Sequence, residues 1–113
     1  MSSGKSGVKH VVMFTLKDDL TAEQIEELKN GLVKLKDQLP DIIQTYELGI
    51  DLKLHGGQTH PAGKNRSVCW SVTFNSVQDY ETYDASEAHT SLIANVIKTY
   101  TVPGTRAAVQ YEF

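Results

Sequence analysis

At 113 residues the chain is one domain's worth. Its formal charge of −3, with no basic block, excludes a nucleic-acid face, and no apolar run approaches the roughly 18 residues of a membrane helix. Cys69 is the only cysteine, so an internal disulfide is ruled out and a reducing, cytosolic setting is implied.

Met1 to Gly7 is small and polar and reads as a flexible tail; it lacks the apolar stretch of a signal peptide. Residues 8–113 then form the domain. Val8 to Leu16 reads as a strand, with Val8, His10, Val12, Phe14 and Leu16 on one face and Val11 and Met13 on the other. Both faces are apolar, as in a strand covered on both sides. Thr21 with Gln24 makes a capping box. Ile25, Leu28, Leu32, Leu35 and Leu39 follow at helical spacing, and Pro40 stops the helix. Gly31 inside it costs about 1 kcal/mol against Ala and permits close packing.

Ile42 to Ile50 reads as a second strand. Lys53 to Arg66, with its glycines, reads as a long mobile loop without periodicity. Val68 to Phe74 alternates with period two and is a third strand. Ser76 with Asp79 opens a helix, and Ser86 opens another whose apolar stripe is Leu92, Ile93, Val96, Ile97 and Tyr100. Pro103-Gly104 breaks it, and Thr105 to Tyr111 is the last strand. The order β-α-β-β-α-α-β predicts an α+β, ferredoxin-like subunit, a four-stranded antiparallel sheet with its helices on one face. The other face, bearing Val11 and Met13, needs cover. A homodimer with its sheets face to face supplies it, giving a dimeric α/β barrel.

Tyr83 and His89 flank the break between the two late helices. Histidine suits acid–base work near neutral pH, and a phenol can donate to developing negative charge. Lys9-His10-Val11-Val12, Phe14 to Asp18, Leu39-Pro40, Glu47 to Asp51, Phe74-Asn75-Ser76 and Tyr83 through His89 occur in an order and spacing that resemble the stress-responsive A/B barrel (Dabb) family. That family holds stress-linked plant proteins without clear chemistry and a plant polyketide cyclase that makes olivetolic acid. The resemblance implies an aldol-type cyclase or lyase without cofactor, His89 taking the substrate's proton and Tyr83 hydrogen-bonding its carbonyl. His10 would line the substrate pocket with Val12, Phe14, Leu28 and Leu32. Ser86-Glu87 and Leu32 stand where the cyclase has other residues, which implies a different substrate.

The alternative is a non-catalytic stress or ligand-binding protein, in which His89 hydrogen-bonds Tyr83 and ties the helices together while His10 completes a core network. His55 and His60 supply two potential metal ligands where a site needs three or four, so no metal is expected. A pocket of roughly 300 Å³ or more near His89, fit for an apolar small molecule, would favour the enzyme.

Overall fold

A computed structural model of the chain describes residues 7–113. The tail read at the N-terminus thus lies, for residues 1–6, outside the described residues. Gly7, its last member, exchanges both backbone hydrogen bonds with Phe113 at 3.1 and 2.9 Å. The elements are β1 (Val8–Phe14), α1 (Ala22–Gln38), β2 (Thr45–Ile50), β3 (Val68–Phe74), α2 (Val77–Ala85), α3 (Glu87–Leu92), a π-helical turn (Ile93–Ile97), α4 (Lys98–Tyr100) and β4 (Ala107–Glu112). The sheet runs β2-β3-β1-β4 and every pair is antiparallel, the ferredoxin-like arrangement.

Thr21 starts α1 with both bonds of the capping box: its hydroxyl accepts from Gln24 N at 3.1 Å, and Gln24 Oε1 accepts from Thr21 N at 2.8 Å. Leu28, Leu32 and Leu35 form the helix's buried stripe. They close over Val8, Val12 and Phe14 of β1 and Val68, Trp70, Val72 and Phe74 of β3. Gly31 allows the helices to meet: a Cβ there would stand 2.6 Å from Leu92 Cδ1.

Three strands are shorter by two or three residues at one end than the sequence reading, each because other polar groups take the backbone first. β1 ends at Phe14, since Thr15 N donates to Thr105 Oγ1 and Leu16 N to Ser67 Oγ; Leu16 keeps only a single bridge to Thr101. β2 begins at Thr45, since the N–H groups of Ile42 and Ile43 both turn back to Leu39 O. β4 begins at Ala107, since Thr105 N closes the Pro103-Gly104 turn onto Val102 O. The segment read as a loop holds a short 3₁₀ turn at Leu54–Gly57, and Asn65 N bonds back to Gly57 O at 2.8 Å.

On the face of the sheet away from the core, Met13, Val109 and Tyr111 are exposed beside half-buried Val11. Among the described residues no helix is long and apolar enough to cross a membrane.

Candidate functional site

Ser86 is the joint that sets the site. It ends α2 and caps α3: its hydroxyl donates to Tyr83 O at 2.7 Å and accepts from His89 N at 3.2 Å. One serine therefore fixes the backbones that carry the phenol and the imidazole. The two rings lie face towards face, with centroids 4.5 Å apart and planes 36° from parallel. His10 comes in from β1, its ring 6.0 Å from that of Tyr83 and 5.2 Å from that of Tyr80.

The hydrogen bonds assign a role to each ring. Tyr83 is buried, and its hydroxyl accepts from Trp70 Nε1 at 3.1 Å. Burial pushes its pKa up to about 12, against the Trp70 hydrogen bond and the Arg106 charge, so the phenol keeps its proton and has it to donate in a further hydrogen bond. His89 Nδ1 lies 3.0 Å from Asp84 O. A carbonyl only accepts, so Nδ1 carries the ring proton and Nε2 of the neutral ring keeps its lone pair. The Asp84 carboxylate stands 4.0 Å from the same Nδ1, placed to support the imidazolium once it forms.

His10 takes the opposite tautomer. Gln110 Nε2, across the β1–β4 ladder, lies 2.8 Å from His10 Nδ1, so the amide donates and the ring proton sits on Nε2. That nitrogen has no protein partner among the described residues, and no fully buried side-chain nitrogen or oxygen there is left unpaired, so the N–H meets open space. Burial, then Arg106 and His89, lowers the His10 pKa to about 4 against Asp84, and the ring is neutral near pH 7.

These groups line one cavity of about 240 Å³, walled by Val12, Phe14, Leu32, Trp70, Leu92, Ile93 and Ile97. It falls short of the roughly 300 Å³ that would favour the enzyme, and it suits only a compact molecule. The residues picked from the sequence divide accordingly. His10, Val12, Phe14, Leu32, Tyr83 and His89 reach the cavity. Leu28 does not: it is fully enclosed in the core, a turn of α1 away from Leu32. The expected tie between His89 and Tyr83 is replaced by bonds to Asp84 and Trp70. Gln110, Lys98 and Arg106 were not legible as site residues. Gln110 is paired with His10 across 100 positions of sequence, which only the strand register reveals. Among the described residues no group of three or more His, Cys, Asp or Glu could hold a metal ion, and His60 Nδ1 accepts from Ala62 N within its own turn.

Residues 8–113 match the sequence model of the Stress Responsive A/B Barrel Domain. HS1, a stress-response A/B barrel domain-containing protein of Arabidopsis thaliana, is 33% identical over 92 residues, which cover 79% of this chain and 76% of that protein. Among solved structures, a dimeric ferredoxin-like protein of unknown function from Thermobifida fusca matches with a TM-score of 0.75 at 24% identity, over 97% of this chain and 93% of that one. The hydroxynitrile lyase of Passiflora edulis matches with a TM-score of 0.74 at 18% identity, over 96% of this chain and 94% of that one. At these identities the two structures establish the fold alone.

Proposed function

This chain belongs to the stress-responsive A/B barrel domain family, and from that premise we propose that it is a cofactor-independent small-molecule enzyme acting at carbon next to a carbonyl, an aldol-type cyclase or lyase. One observation carries the proposal. A base-ready imidazole and two neutral donors of complementary protonation line the same cavity. His89 Nε2 takes a proton from the carbon beside the carbonyl. The electrons of that C–H bond pass to the carbonyl oxygen, which Tyr83 O–H and His10 Nε2–H hold by hydrogen bonds. The carbanionic carbon then attacks a second carbonyl, forming the carbon–carbon bond. The alkoxide so made recovers the proton from His89, and loss of water completes a cyclisation. The same steps reversed cleave such a bond, in keeping with a lyase among the proteins of this fold.

The alternative, a non-catalytic ligand-binding protein, is favoured by the mainly apolar walls. Proton exchange separates the two. Linear poly-β-ketones incubated with the protein in D₂O should lose their methylene protons faster than in buffer, as read by NMR, and some should cyclise. If aromatic products bind the cavity while no ketone exchanges or turns over, the protein is a binder and the enzyme reading fails.

We also propose that the protein is a homodimer, with Val11, Met13, Val109 and Tyr111 buried between the sheets of two copies. An exposed apolar sheet face of this kind is a usual dimer surface, and the Thermobifida fusca neighbour is described as dimeric. Sedimentation should show a dimer. Met13→Glu should give monomer or aggregate, because a charge would enter a dry interface. Wild type that stays monomeric at high micromolar concentration would remove this assembly.

A further inference from the structure

We infer that the ligand of this cavity carries a carboxylate, gripped at the mouth by Arg106 and Lys98. The inference deepens the acid–base reading above and rests on it for the ligand's carbonyl. The chain has 14 acidic residues against 11 basic ones, yet the charged side chains lining the cavity are Lys98 and Arg106, with no acid among them. Neither is in an ion pair among the described residues. The neutral polar side chains beside them are already engaged. The Thr101 hydroxyl donates to Ile97 O at 2.7 Å. The Thr105 hydroxyl donates to Val102 O at 2.6 Å and accepts from Thr15 N at 3.1 Å. The mouth therefore offers a ligand two unspent cations, and the depth offers a base and two donors.

The backbone presents Arg106 deliberately. It follows the turn in which Gly104 takes φ +81°, a conformation that side chains disfavour, and it leads into β4, the strand that carries Gln110 opposite His10. Its charge is felt by both His10 and Tyr83. Asp84, the nearby acid, does not line the cavity, although its charge too reaches His10 and Tyr83. A guanidinium next to low-dielectric walls binds a carboxylate through paired, charge-assisted hydrogen bonds. The ligand class that satisfies both ends is a short oxo acid: an enolisable carbonyl at depth and a carboxylate at the mouth.

The test compares levulinate with its uncharged methyl ester by calorimetry on the full chain. Levulinate should bind about tenfold more tightly, a modest return for one charge-assisted contact at a half-open site. High salt should erode that advantage, and the Arg106→Gln/Lys98→Gln variant should abolish it while leaving ester affinity unchanged. Tyr83→Phe should weaken acid and ester alike and keep their ratio. Equal binding of acid and ester, a preference that survives in the double variant, or binding of neither probe overturns the inference. Deuterium exchange at the carbon beside the ketone distinguishes the two readings. Preferred binding of the acid without exchange sinks the acid–base chemistry but not the anion site. Exchange in both probes together with equal binding of acid and ester sinks the anion site but not the chemistry.

Discussion

His89→Ala should lower proton exchange and turnover by about 10²–10⁴-fold, the usual loss when a general base is removed. Folding should weaken but persist, since the change removes one hydrogen bond and the packing of the imidazole on Tyr83. The His89 side chain is 15% exposed and gives up one hydrogen bond, to Asp84 O. Such a bond is worth about 1 kcal/mol net. Added imidazole should restore part of the rate, because the truncated side chain leaves room for it in the cavity. Unchanged rates in the variant, or a rate loss matched by unfolding, would count against His89 as the base.

Tyr83→Phe is the less clean partner, for a reason visible only in the structure. The phenol that would hold the substrate oxygen is also the acceptor for Trp70 Nε1, and both residues are buried. Removing the hydroxyl leaves a buried indole N–H without a partner, at a cost of about 1–3 kcal/mol. Lowered stability in Tyr83→Phe is therefore expected whether or not the protein is an enzyme. His89 carries the discrimination; Tyr83 adds to it only through the ratio of rate loss to binding loss.

The elements whose signals are local were legible in the sequence. The alternation of Val8 to Phe14, the Thr21–Gln24 capping box and the Ser86 helix start each depend on residues a few positions apart. The β2 boundary was not, because Ile42 and Ile43 are apolar and β-branched like strand residues while their N–H groups close the end of α1. Depth along a helix was not legible either. Leu28 and Leu32 share one stripe, and periodicity cannot say which level meets a cavity. The order of the strands was legible as a topology, but the partner of His10 was not. A glutamine at the end of the chain becomes the group that fixes an imidazole near its start only through the register of β1 on β4. The mouth of the cavity has the same origin. Lys98 and Arg106 lie on opposite sides of a Pro-Gly break and gain a common function only once the chain has turned there.

The second large effect concerns acid stability. His10 is 3% exposed, packed on the rings of Tyr80 and Tyr83 and bonded to Gln110, with Arg106, His89 and Asp84 as its charged or titratable neighbours. Its pKa falls from 6.5 in the unfolded chain to about 4 in the fold, burial being the first cause and Arg106 the second. Between those values the unfolded chain holds a proton that the folded one refuses, so stability must rise with pH across this window and be lost as pH falls through it. The full shift is worth about 3 kcal/mol, a large part of the stability of a domain this size. Urea denaturation of wild type and His10→Phe, followed from neutral pH down to the lowered value, isolates this contribution. The phenyl ring keeps the packing on Tyr80 and Tyr83 and removes the titration. The stability difference between the two proteins should move by about 3 kcal/mol in favour of His10→Phe as the pH drops, with Gln110 losing its partner at every pH alike. Parallel curves would mean that His10 takes up its proton in the fold as easily as outside it. The Nε2–H would still donate into the cavity, but from a ring that is charged in part near neutral pH.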